Sequence, residues 1–236
     1  MNFNILTLFP EMFPGPLNYS IQKKALSNEL FKIKTVDIRN FSKNSAKTVD
    51  DRPYGGGAGM ILKPDTLQGA FDFTRKKIEG KFFSIYLSPS GQKLTQNLIK
   101  EISSFKQIVL ICGRYEGIDQ RFIQHNSIEE ISIGDYVISS GELAAYILID
   151  ACVRLLPEVL GNQNSLDNES YMNFLLEYPQ YTKPKNWNNI EVPEILTSGN
   201  HKKIKEWQLK KSIEKTKKIR PDLYNMYIEM INKEEK

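Results

Sequence analysis

The chain has 236 residues, of which 40% are hydrophobic and 25% charged, and its formal net charge is +4. This is the composition of an ordinary globular protein, and it excludes collagen-like, mucin-like and wholly disordered chains. The two cysteines, Cys112 and Cys152, are too few for a disulfide framework and form no CxxC pair, so we expect buried, small hydrophobic side chains. The chain has only two histidines, which makes a His-rich zinc site or a Ser-His-Asp triad an unpromising explanation of its chemistry.

No stretch of the sequence predicts a membrane span, because none reaches about 18 unbroken apolar residues. The most apolar helical stretch, 143–156, is interrupted by Asp150 and Arg154. The N-terminal segment lacks the basic start and the small-residue cleavage site of a signal peptide. We therefore expect a cytoplasmic protein.

Short apolar runs alternate with helix-like segments along the first two thirds of the chain. The runs predict buried strands at 3–9, 82–88, 107–112 and 129–138. The helix-like segments lie around 11–29, 65–78, 92–104 and 117–124. Because strand and helix alternate, the sequence predicts an α/β domain with a parallel sheet over residues 1–160.

The last third of the chain differs in composition. Residues 161–177 are polar and turn-rich, and we expect a flexible linker between two domains. Residues 178–236 are basic and mostly helical, and within 201–220 nine basic residues meet two acidic ones. Such a helix is either a solvated face, a phosphate-binding surface for nucleic acid or a contact with an anionic membrane.

Glycine-bearing loops are the first candidates for a binding site. The segment DDRPYGGGAGM (50–60) matches neither GxGxxG nor the P-loop pattern, so it is a flexible loop or a loop that a ligand approaches closely. Three further loops, 87–92, 112–119 and 132–142, each follow an apolar strand. Since the carboxyl ends of parallel strands meet at one edge of a sheet, we expect these loops to form one pocket.

Charged residues follow the pocket segments. Arg154 stands four residues after Asp150 on an apolar helix, where it either forms a salt bridge or points into a site. Asp167, Glu169 and Glu177 occur in the predicted linker, where single carboxylates are usually solvated.

Taken in order, these segments resemble the TrmD family, bacterial tRNA (guanine-N1)-methyltransferases of the SPOUT class that modify the guanine at position 37 in the anticodon loop. The resemblance covers nearly the full chain. It is carried by ILTLFPEMF (5–13), DDRPYGGGAGM (50–60), LSPSGQ (87–92), CGRYEGIDQR (112–121), SIGDYVISSGELAA (132–145), LPEVLGN (156–162), YPQYTKP (178–184) and VPEILTSGNHKKIKEW (192–207).

The resemblance implies a homodimer in which the N-terminal domain ties a trefoil knot and binds S-adenosylmethionine. Glu177 stands where the family tends to have an aspartate near the methionine amine. The residues carried over for the donor site are Tyr86, Leu87, Ser88, Pro89, Gly113, Arg114, Tyr115, Glu116, Ile133, Gly134, Tyr136, Ile138, Ser140, Gly141 and Glu177.

The resemblance also implies the chemistry. Guanine N1 carries a proton, so methyl transfer needs a general base and a cation for the charge that builds on O6. Arg154 matches the family's arginine. Glu169 stands where the family has its aspartate base, and Asp167 is the fallback.

The same resemblance implies that the partner is tRNA, and not DNA or a membrane. Lysines of the C-terminal domain are expected to bind phosphates, and the target guanine to flip into a pocket between subunits. Family members also need Mg²⁺, for which the sequence indicates no site. The expected substrate-binding residues are Gly55, Gly56, Gly57, Gly59, Ser165, Lys202, Lys203, Lys210 and Lys211.

Two other functions remain open at this stage. The chain could be a SPOUT methyltransferase for another RNA, such as ribosomal RNA. It could instead be a basic RNA-binding module that has lost catalysis, and Glu169 in place of aspartate is the feature that favours this alternative.

Overall fold

The computed structural model describes residues 1–160 and 169–234. The chain divides into two compact units, Met1–Gly161 and Asn162–Lys236. The strands and helices of the first unit are β1 (Asn2–Thr7), α1 (Ser20–Ser27), β2 (Lys32–Asp37), β3 (Asp50–Asp51), β4 (Ile61–Leu62), α2 (Pro64–Arg75), β5 (Phe83–Lys93), α3 (Gln96–Ser103), β6 (Gln107–Ile111), α4 (Gln120–Asn126), β7 (Glu129–Ser132) and α5 (Gly141–Val153).

Five strands of the first unit form one parallel sheet with the order β2-β1-β6-β5-β7. The register places Phe3 of β1 opposite Ile33 of β2 and Ile108 of β6. The remaining strands, β3 and β4, pair with each other as a small antiparallel ribbon. The predicted α/β class with a parallel sheet is confirmed, and the trefoil knot stays a prediction.

Both faces of the sheet are buried, which explains the nearly continuous apolar runs of its strands. Successive residues of a strand point to opposite faces. In β6, Ile108 and Leu110 join a cluster with residues of α5, whereas Val109 and Ile111 join a second cluster with α2 and α4. Helices therefore cover both faces of the sheet. A ligand can reach the sheet only through the loops at the ends of its strands.

Local sequence signals set the helix ends. The side chain of Thr95 accepts a hydrogen bond from the amide of Leu98 at the start of α3, and Asp119 caps α4 through Arg121 in the same way. These residues satisfy amides that have no partner within the first turn of a helix. Pro64 begins α2, where a missing amide hydrogen costs nothing.

One strand and one helix are shorter in the structure than the sequence predicted. The strand predicted at 129–138 ends at Ser132, because the backbone turns at Gly134 with a φ of 148°. The helix predicted around 11–29 is restricted to α1, and two turns of 3-10 helix, Pro10–Met12 and Gly15–Asn18, precede it. Prolines in this stretch lack the amide hydrogen that a continuous helix requires.

The second unit is mostly helical, with α6 (His201–Ile219), α7 (Pro221–Glu234) and the antiparallel hairpin β8 (Asn186–Trp187) and β9 (Ile190–Glu191). Its buried side chains include Leu175, Leu223 and Tyr227. Two polar residues of α6, Ser212 and Thr216, are also buried. The Oγ1 of Thr216 accepts a hydrogen bond from the amide of Leu176 at 2.8 Å.

The predicted linker is described only from residue 169 onward. This part contains a 3-10 turn, Met172–Phe174, that contacts α7. Lys215 of α6 donates a hydrogen bond to the carbonyl of Glu177 at 3.0 Å. Residues 169–177 are therefore held by the helices of the second unit.

Candidate active site

A cavity of about 350 Å³ opens at a bulge of β5, beside the carboxyl end of β6, the loop after β7 and the first turn of α5. The segment 87–92, predicted as a loop after its strand, lies within β5 at this bulge, where the pairing with β7 shifts between Leu87 and Gln92. Three separate stretches of sequence meet there, as expected for an open parallel sheet. Fourteen of the fifteen residues predicted for the donor site line this cavity: Tyr86, Leu87, Ser88, Pro89, Gly113, Arg114, Tyr115, Glu116, Ile133, Gly134, Tyr136, Ile138, Ser140 and Gly141.

Glycines let the walls of the cavity come together. A Cβ atom on Gly141 would lie 2.7 Å from the backbone nitrogen of Gly113, and one on Gly113 would lie 2.8 Å from the ring of Tyr86. Both distances are far below ordinary van der Waals contact, so neither position tolerates a side chain without displacing its neighbour. The cavity wall at this point is therefore mainly backbone, which offers amide and carbonyl groups to a ligand.

The outer rim of the cavity carries exposed apolar side chains. Tyr115 and Tyr136 are 58% and 52% exposed, and Val137 is 85% exposed. The ring of Tyr136 covers Gly134, where a Cβ would lie 2.6 Å from the ring edge. Aromatic rings lie at the mouth of the cavity, and polar backbone groups form its wall. This combination suits a ligand that has an aromatic part and several hydrogen-bonding groups.

The phenol of Tyr86 lies at the inner end of the cavity and is almost fully buried. Burial raises the pKa of Tyr86 to about 12, and the nearby Glu130 carboxylate acts in the same direction. The phenol is thus protonated at neutral pH. It can donate or accept a hydrogen bond, but it is not a base for proton abstraction.

A buried carboxylate, which the sequence did not single out, supports one wall of the cavity. Glu142 is fully buried, and Thr7 donates a hydrogen bond of 2.5 Å to its Oε1. Its Oε2 lies 3.0 Å from Nε of Arg114 without hydrogen-bond geometry, so the contact between them is electrostatic. The guanidinium also lies over the ring of Phe9, 4.3 Å from the centroid. Arg114 is therefore held from two sides.

The glycine-rich loop borders the same cavity through Glu116. A Cβ on Gly59 would overlap the Glu116 side chain, and the amide of Glu116 donates a hydrogen bond to the carbonyl of Met60 at 3.0 Å. By contrast, Gly55 and Gly56 have open space around them and positive φ angles. The structure thus brings one end of the predicted substrate loop to the cavity and leaves its tip exposed.

A second cavity, also about 350 Å³, borders the first half of that loop. Arg121 pairs with Asp119 there at 2.7 Å and, through this hydrogen bond, lowers the pKa of the Asp119 carboxyl. Tyr54 is 98% exposed beside it. The sequence indicated only the glycines of this region and missed the cavity.

Arg154 does not line the first cavity of its own chain. It directly follows α5, whose first residue, Gly141, does line it. At 1.5 Å per residue, the helix separates the two by about 20 Å. The neighbouring Asp150 accepts a hydrogen bond from Gln22, and burial raises the pKa of the Asp150 carboxyl, an effect that the charge of Arg154 opposes.

The other predicted site residues belong to the second unit or fall outside the described residues. Glu169 is partly buried, and Glu177 accepts a hydrogen bond of 2.6 Å from Gln180. Ser165 and the fallback base Asp167 lie outside the described residues. The roles assigned to all four remain predictions.

The four predicted phosphate-binding lysines all lie on α6. Lys203 and Lys210 are exposed and seven residues apart, so they lie on the same face of the helix, about 10 Å from each other. Lys202 is also exposed, whereas Lys211 pairs with Glu214 at 2.7 Å. The negative charge of Glu214 offsets that of Lys211 and so weakens its attraction for a phosphate.

Comparison with known proteins adds an independent observation. The family model described as tRNA (Guanine-1)-methyltransferase TrmD matches residues 1–226. A protein of Ehrlichia canis (strain Jake) named tRNA (guanine-N(1)-)-methyltransferase is 50% identical over 224 residues, covering 94% of this chain and 95% of that protein. Proteins of the same name from Pelagibacter ubique (strain HTCC1062) and Rhodospirillum rubrum are 50% and 49% identical, each over at least 92% of both chains.

The chain belongs to the TrmD family. Membership in this family of tRNA (guanine-N1)-methyltransferases confirms the family and the enzyme class predicted from the eight sequence segments. The described part of this TrmD-family chain contains no group of three acidic, histidine or cysteine side chains arranged to hold a metal ion. Mg²⁺ therefore stays a prediction from the resemblance.

Two further features of this TrmD-family chain bear on the sequence predictions. No helix among residues 1–160 and 169–234 is both long and apolar enough to cross a membrane. Cys112 and Cys152 are free and buried, as predicted. Cytoplasmic location, homodimer formation and the absence of DNA among the partners stay predictions.

Proposed function

We propose that this protein transfers the methyl group of S-adenosylmethionine to N1 of the guanine at position 37 of tRNA. The proposal rests on one observation above all, the convergence of fourteen predicted donor-site residues around a single cavity. The close approach of the chain at Gly113 and Gly141 supports the fit, because a wall built of backbone presents amide and carbonyl groups of its loops to an adenosine without side chains in the way. The donor, when bound, supplies a methyl group on a positively charged sulfur.

The protein's part in this reaction is alignment and proton removal. Transfer forms the bond between N1 and the methyl carbon while the bond from that carbon to sulfur breaks, so the cavity has to hold the methyl group in line with the base. The carboxylate of Glu169 takes the N1 proton as the new bond forms. The guanidinium of Arg154 stabilises the negative charge that develops on O6.

The distance along α5 favours a site shared by two copies of the chain. Arg154 and the cavity lie at opposite ends of the helix, about 20 Å apart by its length. Leu143 and Ile147, one turn apart on α5, are 42% and 47% exposed, a surface that a second copy can cover. We therefore propose a homodimer in which the cavity of one protomer faces the partner's Arg154.

The second unit is proposed to hold the tRNA. On α6 the lysines outnumber the acidic residues, and Lys203 and Lys210 share an exposed face. Contacts from such a face to phosphates position an RNA without reading its sequence, so the identity of the base is read in the cavity.

The direct test is methyl incorporation from labelled S-adenosylmethionine into tRNA transcripts. A transcript with guanine at position 37 should be methylated at N1, and one with adenine there should not. Equal labelling of both transcripts, or labelling only of ribosomal RNA, would overturn the proposal.

The shared site has its own test, the mixing of two inactive variants. We expect Arg154→Ala and Gly113→Trp each to abolish transfer, because one removes the cation and the other fills the cavity. A mixed dimer of the two contains one site with both features intact, so mixing should restore part of the activity. If mixed dimers form but no activity returns, each active site uses the cavity and the Arg154 of the same protomer, and the shared site is wrong.

A further inference from the structure

A short hairpin in the second unit presents two large apolar side chains to solvent. The strands β8 and β9 pair Asn186 with Glu191 and Trp187 with Ile190. Cross-strand partners lie on the same face of a hairpin. Trp187 is 64% exposed and Ile190 65%, so this face is uncovered on the protomer.

The hairpin holds this face in a fixed conformation. Its loop consists of Asn188 and Asn189, with φ angles of 51° and 61°, the left-handed pair that matches the twist of a two-residue hairpin. The amide of Val192 donates a hydrogen bond of 2.9 Å to the carbonyl of Lys185 and extends the ladder. The indole is thus oriented before any partner arrives, which lowers the entropy lost on binding.

The groups around the indole indicate the kind of partner. Lys183 and Lys185 precede it, both exposed, and three asparagine amides flank it in the sequence KPKNWNN. Residues 181–236 carry 13 basic and 8 acidic residues, a balance of +5. An exposed aromatic ring between lysines and amides, on a unit of positive charge, fits a nucleobase that stacks on the ring while its phosphates meet the lysines.

The hairpin also adjoins the proposed phosphate-binding helix. Tyr181, at the start of the segment that leads into the hairpin, lies against Trp207 of α6 with their ring centroids 6.4 Å apart. The 3-10 turn after the hairpin, Glu194–Thr197, also contacts α6. One RNA can therefore meet the lysines of α6 and the hairpin together.

We propose that Trp187 is a stacking platform for an unpaired nucleobase of the tRNA, supported by Ile190 beside it. This inference deepens the proposed function and rests on tRNA being the substrate. It adds a contact to a base where the lysines of α6 supply contacts to phosphates. The base concerned is unpaired, because a base within a helix does not expose its face.

Kinetics of Trp187 variants test the proposal. Trp187→Ala should raise the KM for tRNA about tenfold, because the variant lacks the aromatic ring on which the base stacks. Trp187→Phe, which keeps a ring, should stay close to wild type, and Trp187→Leu, which keeps apolar bulk alone, should behave like Trp187→Ala. Met226→Ala removes an exposed apolar side chain of α7 and serves as the control, with an unchanged KM.

Fluorescence provides a second readout that needs no loss of function. The chain has two tryptophans, so Trp207→Phe leaves Trp187 as the only one. Its emission should be quenched by a tRNA transcript and by single-stranded RNA, but much less by a blunt RNA duplex. Equal quenching by duplex and single strand, or none by either, would overturn the stacking contact.

The outcomes separate this inference from the proposed function. If wild-type protein methylates tRNA but Trp187→Ala leaves the KM for tRNA unchanged, only the stacking contact is wrong. If Trp187→Ala and Trp187→Leu instead differ from wild type in sedimentation at low concentration, with the KM unchanged, a second copy covers the hairpin and the inference fails. If wild-type protein transfers no methyl group to tRNA, the proposed function itself fails.

Discussion

The amide of Gly141 donates a hydrogen bond to the carbonyl of Gly113 at 3.0 Å, which joins the first turn of α5 to the loop after β6. Two backbone segments meet here without a side chain between them. This contact fixes the width of the cavity at its inner wall, because both glycines line it.

Gly141→Ala should therefore widen this junction and destabilise the fold. The new Cβ would lie within 3.0 Å of three backbone atoms of Cys112 and Gly113, which cannot rotate away as a side chain can. We expect the free energy of unfolding to fall by about 1–3 kcal/mol, as for other overpacked sites, and the affinity for S-adenosylmethionine to fall with it. Urea unfolding and calorimetry measure the two effects.

A neighbouring variant provides the control for stability. Ser140 is also buried but makes no capping hydrogen bond to α5, so Ser140→Ala should change the free energy of unfolding much less. Equal stabilities of the Gly141→Ala and Ser140→Ala variants would contradict the argument from the backbone contact.

The contact between Glu142 and Arg114 should show an energetic coupling. Glu142→Gln keeps an acceptor for Thr7 but removes the charge that faces Arg114, and Arg114→Met removes the other partner. A double-mutant cycle on the free energy of unfolding should give about 0.5–3 kcal/mol of coupling, typical of neighbouring charged groups. If the two single changes add without coupling, the electrostatic contact contributes nothing to stability.

The convergence of loops on one cavity could be predicted from the sequence, because each loop is recognised from a short segment of the chain. Two of the predicted loops follow β6 and β7 directly, and the strands of a parallel sheet bring their carboxyl ends to one edge, so the positions of Gly113, Gly134 and Gly141 could be predicted together. The third predicted loop, 87–92, is instead a bulge within β5. The resemblance then supplied the individual residues. Neither step required knowledge of how side chains pack.

The residues that the sequence did not reveal depend on contacts between distant segments. Glu142 is one carboxylate on an apolar helix, and its partner Thr7 is 135 residues away in the chain. In α6 the apolar side chain of Leu209 is 50% exposed, whereas the polar Ser212 and Thr216 are buried. Thr216 is buried because it satisfies the amide of Leu176, a role that its residue type alone does not reveal.

Glu169 can be tested as the proposed base by its charge. Glu169→Gln should lower the rate of methyl transfer about 10²-fold or more, since an amide cannot accept the N1 proton. Glu169→Asp, which restores the family's residue, should remain active. Single-turnover kinetics at saturating tRNA measure the step directly.

A carboxylate outside the proposed site provides the comparison. Glu158 is exposed in the first unit, and Glu158→Gln should leave the rate unchanged. A rate for Glu169→Gln as high as that of Glu158→Gln would remove Glu169 from the mechanism.

The lysines of α6 should control the salt dependence of tRNA binding. Lys203→Ala combined with Lys210→Ala should lower the slope of log affinity against log salt by about 1–2, because each phosphate contact releases counterions. Lys211→Ala should have a smaller effect, since Glu214 already pairs with Lys211. Lys81→Ala in the first unit is the control. If the double variant has the same slope as this control, Lys203 and Lys210 do not contact phosphates.

The two cysteines should resist thiol reagents in the folded protein. Burial raises the pKa of Cys152 to about 12, and it raises the pKa of Cys112 well above its usual value, where the charge of Glu142 adds to the shift. The thiolate is the reactive form, so labelling at pH 8 should be slow in buffer and fast in urea. Rapid labelling without denaturant would show that one thiol is accessible and partly ionised.

The backbone wall of the cavity at Gly113 and Gly141 has a consequence for inhibition. A competitive inhibitor that lies in the cavity against Gly113 and Gly141 would meet backbone, which every amino acid shares, at positions where a larger residue collides with its neighbours. A substitution there that repelled the inhibitor would also disturb the fold. Resistance to such a compound would therefore have to arise at the rim, for example at Val137, where the side chain is exposed and free to vary.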